Sequence, residues 1–301
     1  MSVRRHAHAA PRRRGIRLVG WQTHGVTRFS AAAVGLVRAC HPEACVAVAL
    51  TAVLLGIAIG LDTSTLLLVG GAVLAGQLSV GWTNDVVDAA RDAEAGRVDK
   101  PVASGQVGLR TATAASVLAG IACVPLSLSV GALPGTLHII AVALALGYDV
   151  GVKSTVFSVV PYVVSFGLLP LFVTLARPHT PVHWWLPAAG ALLGGGAHFA
   201  NVLPDLAADI AGGVRGLPHR IGATASRACA ALLLLGASVL LAVGPDGHLV
   251  VRLVLVVVSA LVLLGGFAIG RRPGSRAPFR SVLVVALLDV VLLVIAGVGL
   301  R

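Results

Sequence analysis

"VGWTNDVVDAARDAEAGRVDKP", Val80 to Pro101, carries Asp85, Asp88, Asp92, Glu94 and Asp99 on the end of a run that holds no charge from residue 63 to residue 84. At helical spacing Asn84 and Asp88 stand four apart, Asp88 and Asp92 four apart, and Asp85 and Asp88 three apart, so they share one helix face. Like charges at that spacing repel. The spacing returns in "NVLPDLAADIAGGVRGLPHRIG", where Asn201, Asp205 and Asp209 step by four along the end of another apolar helix. Two such stripes, with nothing comparable in basic residues between them, predict a bound cation. Oxygen ligands without cysteine, with His198 only at the margin, select Mg2+ rather than zinc. Magnesium holds few protein carboxylates and leaves positions for phosphate oxygens, so two facing stripes read as a cradle for a diphosphate carried on metal ions. The plain alternative is a solvated charged face.

The chain around these stripes is far more apolar than a soluble protein. Of its 301 residues 57% are hydrophobic and 12% charged, and mean hydropathy is +0.93, against about 25% charged residues in a soluble domain. Uncharged runs long enough to cross about 30 Å of hydrocarbon recur along it. They lack the two-residue alternation of a membrane barrel, so helices are the expected spanning form. Cutting at glycine, proline and charge predicts an all-α polytopic membrane protein with nine spans, near 44–61, 65–83, 111–130, 133–148, 154–175, 184–203, 228–243, 249–270 and 281–300.

Orientation follows from the basic residues. The N-terminus and the loops after the second, fourth, sixth and eighth spans hold 20 of the 23 Lys and Arg. That bias predicts a multi-pass protein of the cytoplasmic membrane with its N-terminus and the acidic clusters on the cytoplasmic face. It also accounts for the net charge of +11 through anionic lipid, with no nucleic-acid partner. Residues 1–15 read as a disordered basic arm, 16–43 as an interfacial segment, and 44–301 as the transmembrane domain. No signal peptide is expected, and no obligate protein partner is evident. The four cysteines show no metal-binding spacing and read as small apolar residues.

Lysine occurs twice, at Lys100 and Lys153, against 21 Arg, and both fall in cytoplasmic connections beside the acids. A compact ammonium suits a diphosphate oxygen. Interfacial anchoring is the alternative for each.

With these residues the chain resembles the UbiA superfamily of intramembrane prenyltransferases, over nearly its whole length from about residue 30. "NDVVDAARD" matches the first Asp-rich motif of that family, and "RVDKPVASGQV" resembles the segment after it through Arg97, Lys100, Pro101, Ser104 and Gly105. "DLAADIAGGVRGLPHRIG" fits the second Asp-rich motif, and "YDVGVK" resembles the loop that supplies Tyr148 and Lys153. Val152 stands where many members carry a second basic residue, Asp99 where Asn is common, and Gly216 where Ser or Thr often follows.

The resemblance implies a transferase of prenyl groups with Mg2+ as cofactor and a polyprenyl diphosphate and a small acceptor as partners. Asp85, Asp88, Asp92, Asp205 and Asp209 are then the metal-binding and catalytic carboxylates, with Lys153 catalytic beside them. Asn84, Arg97, Lys100, Tyr148, His198 and Asn201 are the expected substrate contacts. Ionisation leaves an allylic cation, captured in most members by an aromatic carbon. A terpene cyclase on the same scaffold shares every aspartate, and a secondary transporter is the reading from another class. His198, one turn deeper than Asn201, reads either as a substrate contact or as a satisfied histidine of the bundle. Asp289, inside the last span, reads either as functional or as an interhelical hydrogen bond.

Overall fold

The computed structural model describes residues 32–244, 249–272 and 275–295. The expected basic arm and most of the expected interfacial segment lie outside the described residues, as does the end of the last span. Among the described residues every regular element is helical. The chain opens with α1 (Ala32–Ala39) and α2 (Pro42–Ala58), set 60° apart. Pro42 at the start of α2 has no N–H to continue the first helix, and His41 before it takes a left-handed backbone, φ 56 and ψ 64.

Helix α3 (Thr63–Glu94) is 32 residues long. Asp62 caps it, its Oδ1 accepting from Thr65 N–H at 3.1 Å. At 1.5 Å per residue it extends about 48 Å, well beyond the hydrocarbon thickness of about 30 Å. Its first twenty residues suffice to cross, so the helix from Asn84 onward continues past the apolar layer with its acids.

Helices α4 (Leu109–Val130) and α5 (Ala132–Val150) form a hairpin about Gly131, whose φ of 151 favours glycine. A one-turn 3-10 helix (Val152–Ser154) leads to α6 (Val159–Thr174). Helix α7 (Trp185–Val202) lies close on α6, because a Cβ at Gly190 or Gly194 would collide with the carbonyls of Phe166 and Tyr162. Then come α8 (Leu206–Ala211), α9 (Leu217–Val243), α10 (Leu249–Ile269) and α11 (Ala277–Ile295). Gly222, with φ 81 and ψ 170, kinks α9 near its start.

Two packed clusters hold the bundle. One joins Ile59, Val69, Val73, Phe172 and Trp185, and the other Phe199, Leu234, Leu263 and Val285. Neighbours in sequence pack together, and α11 returns to α2, where Arg280 grips Glu43 at 3.0 and 2.6 Å. Among the described residues five helices, α3, α4, α5, α9 and α10, are long and apolar enough to cross a membrane, and six do so if α1 and α2 count as one bent span. The chain is an all-α polytopic membrane protein.

One expectation fails here. Asn201, Asp205 and Asp209 do not step along a single helix: α7 ends at Val202, and Asp205 begins α8 after a turn. Pro204 is the cause, since it has no N–H for the Ala200 carbonyl and its ring crowds the preceding turn.

Candidate active site

The site lies where the end of α3, the end of α5, the 3-10 turn, and α8 come together. Asp88 is its hub and is 7% exposed. Lys153 Nζ donates to its Oδ1 at 2.5 Å, and Arg91 Nη2 lies 2.9 Å from its Oδ2. Asn84 Nδ2 donates to Asp149 Oδ1 at 2.8 Å and reaches Asp88 Oδ2 at 3.4 Å. With two carboxylates around its nitrogen, that side of Asn84 is the amide NH2.

The two acidic stripes are joined by arginine. Arg91 Nη2 also lies 3.9 Å from Asp209 Oδ1 on α8, whose Oδ2 sits 3.3 Å from His219 Nε2. Arg97 Nη1 donates to Asp205 Oδ1 at 3.0 Å, while its Nε and Nη2 grip both oxygens of Asp99 at 2.9 and 3.0 Å. The Arg97 guanidinium holds the Asp99 carboxyl down to about 2, and Asp99 in turn raises Arg97. The expectation of acidic stripes without basic residues between them is therefore wrong. Arg91, Arg97, Lys100 and Lys153 offset them, and long side chains reached these positions from outside the periodic acidic pattern.

Asp85, expected among the metal ligands, is engaged with the loop after α3. It is 1% exposed, its Oδ2 accepts from Val102 N–H at 3.2 Å, and Lys100 Nζ lies 3.2 Å from its Oδ1. Its carboxylate anchors the loop after α3. Asp92 is buried beside the site, with the Arg97 N–H bonded to its backbone carbonyl at 2.9 Å.

Behind the carboxylates stands an aromatic group. Tyr148 and Tyr162 meet edge to face at 5.1 Å between ring centroids, and His198 lies 5.7 and 5.0 Å from them. Asn201 Nδ2 donates to Tyr162 Oη at 3.3 Å. His198 is fully buried, with Nε2 at 3.1 Å from Ser158 Oγ, which accepts from Leu217 N–H at 2.9 Å. It belongs with the tyrosines rather than on the carboxylate stripe. Asp289 lies apart from the site and accepts from Ser259 Oγ at 3.3 Å between α10 and α11.

Sequence reasoning counted Asp149 among the acids of the cytoplasmic side without giving it a role, and it missed His41 and Tyr162 beside the site. Asp149 is 3% exposed, and among the described residues its Oδ2 has no hydrogen-bond partner. Its signal in the sequence was only its place beside Tyr148, four residues before Lys153.

The carboxylates of Asp88, Asp92, Asp205 and Asp209 are oxygen donors, which suits a hard cation. The free carboxylate oxygen of Asp149 and the one-sided pairing of Asp205 leave lone pairs for it. Among the described residues no three of His, Cys, Asp or Glu are gathered about one point.

Several solved structures share the fold. A UbiA homolog from Archaeoglobus fulgidus bound to GPP and Mg2+ matches with a TM-score of 0.68 at 12% identity, over 87% of this chain and 98% of its own. The apo UbiA homolog from Aeropyrum pernix K1 gives a TM-score of 0.69 at 19% identity, over 84% and 98%. A digeranylgeranylglyceryl phosphate synthase gives 0.63 at 16% identity, over 90% and 99%. Sequence comparison with curated proteins finds no match. The profile of the UbiA prenyltransferase family matches residues 45–295, which span both acidic clusters, and the chain belongs to that family.

Proposed function

We propose that the chain is a Mg2+-dependent intramembrane prenyltransferase that ionises a polyprenyl diphosphate and transfers the prenyl group to a small acceptor, aromatic in class. The observation that carries this reading is the meeting of the α3 and α8 carboxylates across Arg91 and Arg97, with Lys153 on Asp88. The site holds ion pairs that a metal diphosphate can separate. Asp88, Asp92, Asp205 and Asp209 would hold the metal, and Lys153, Arg91 and Arg97 would then be released to the phosphate oxygens. When bound, Mg2+ neutralises charge on the departing diphosphate and so eases rupture of the allylic C–O bond. The bond pair leaves with the diphosphate. Tyr148 and Tyr162 present ring faces to the cation that remains.

In the same reading nine helices cross the membrane, α2 to α7 and α9 to α11. The N-terminus and the site face the cytoplasm, as the placement of 20 of 23 basic residues supports. Two bound structures of the A. fulgidus homolog, with GPP and with DMAPP, each with Mg2+, support the substrate class. The test is incubation of purified protein with geranyl diphosphate and Mg2+, alone and with phenolic acceptors. Diphosphate release with a prenylated acceptor confirms the reading; a cyclic hydrocarbon moves it to the cyclase, and no release at all defeats it.

A further inference from the structure

His41 occupies a conformation that argues for a function of its side chain. It is one of two non-glycine residues with positive φ among the described residues, and it sits at the 60° bend between α1 and α2. Glycine or asparagine would take this backbone with less strain. Such strain persists where the surrounding structure over-determines it, commonly at functional sites. Here α1 is fastened to the loop that carries Lys100. Arg38 reaches Gln106 Oε1 at 3.3 Å and the Asp99 carbonyl at 3.4 Å, and Trp82 Nε1 donates to the Leu36 carbonyl at 2.8 Å. Beneath the bend, Gly81 allows α3 to approach the Cys40 carbonyl, where a Cβ would collide. The bend is therefore held against the site, and His41 is the side chain it delivers there.

His41 Nε2 lies 3.4 Å from Lys100 Nζ. An ammonium has donors only, so Nε2 accepts, and the ring proton is on Nδ1. Lys100 Nζ lies 3.2 Å from Asp85 Oδ1 on its other side. The ammonium is thus held between a buried carboxylate, as an ion pair, and a neutral ring that accepts one of its N–H bonds.

We propose that His41 is a positioning residue, whose imidazole holds the Lys100 ammonium so that an N–H it does not engage is presented to the diphosphate. A second carboxylate here would orient the ammonium equally well but would cancel the charge that the phosphate needs. A neutral acceptor orients it and leaves the charge intact. Asp85 and His41 hold the ammonium from two sides. The proposal rests on the reading of this site as a diphosphate site.

The experiment uses the full-length protein with geranyl diphosphate and Mg2+, comparing wild type with His41→Gly and His41→Asn, both of which suit the left-handed backbone. The expected result is a rise of about ten-fold or more in KM for geranyl diphosphate, the scale of one hydrogen bond to a charged group. The thermal midpoint holds or rises, and free imidazole restores His41→Gly. In parallel, acetic anhydride labelling reads Lys100 against Lys153, the two lysines of the chain. The His41 variants should raise the Lys100 share several-fold. Unchanged KM with an unchanged labelling ratio overturns the proposal. So does a loss of activity that follows the thermal midpoint and ignores imidazole, which leaves only a backbone role. A wild type that releases no diphosphate defeats the functional reading instead, and the labelling ratio then still decides whether His41 holds Lys100.

Discussion

Lys153 Nζ donates to Asp88 Oδ1 at 2.5 Å, tying the turn after α5 to the acidic face of α3. Both residues are buried, at 8% and 7% exposure, and Asp88 shares its charge between Lys153 and Arg91. In the proposed cycle this ammonium passes from the carboxylate to the leaving diphosphate. Lys153→Met should then lower kcat/KM for geranyl diphosphate about ten- to hundred-fold, with little change in acceptor affinity. Lys153→Arg should recover part of the loss, because charge is kept while the planar fork sits differently. Steady-state kinetics of diphosphate release check both, and normal kinetics in Lys153→Met would reduce the residue to an interfacial anchor.

The close contact of α6 and α7 sets the aromatic wall. At Gly194 a Cβ would strike the Tyr162 carbonyl and come within 2.6 Å of Phe166 Cβ. Gly194→Leu should cost about 1–3 kcal/mol, the usual cost of overpacking, and should displace Tyr162 from His198. Thermal unfolding in detergent reads the first effect and substrate turnover the second. A variant as stable and active as wild type would show that α6 and α7 do not pack this way.

Arg97 holds Asp99 and Asp205 together, and the Asp99 carboxyl is pulled down to about 2 from an ordinary 3.8. A depressed carboxyl contributes stability above its ordinary value and loses it as pH falls toward the folded one. The contribution is under about 1 kcal/mol because Asp99 is half exposed. The gap in thermal midpoint between wild type and Asp99→Asn should thus be present at pH 6 and close between about pH 4 and 2. A gap that widens on acidification contradicts the pairing.

Topology offers an independent check. A cysteine placed at Gly96, in the loop between α3 and α4, should be shielded from an impermeant thiol reagent in intact cells and should react after the membrane is opened. Labelling from outside intact cells would place the site on the other face.

Much of this architecture was legible because lipid imposes a simple rule on sequence. Each expected span falls on a helix as far as the described residues run, although only five of those helices, or six with the bent pair, are long and apolar enough to cross a membrane. The turn at Gly131 stands where glycine and proline marked it. The face of Asn84, Asp88 and Asp92 was also legible, since α3 runs unbroken to Glu94 and keeps the 3.6-residue period. The second stripe was misread because its matching period outweighed Pro204, which breaks the helix between Asn201 and Asp205. Contacts between distant residues left no local signal. Asp149 meets Asn84 across 65 residues, and Arg97 meets Asp205 across 108. His41 was hidden for another reason: its role depends on a bend that periodicity does not encode.

If the carboxylates of α3 and of the α8 segment serve one diphosphate site, diphosphate release from geranyl diphosphate and Mg2+ should occur with wild type and stop on chelation of the metal. It should be abolished by Asp88→Asn or Asp205→Asn alone, each variant first shown to be folded by circular dichroism, although one residue lies on α3 and the other at the start of α8. Wild-type turnover in either variant, or full activity with the metal chelated, would contradict it.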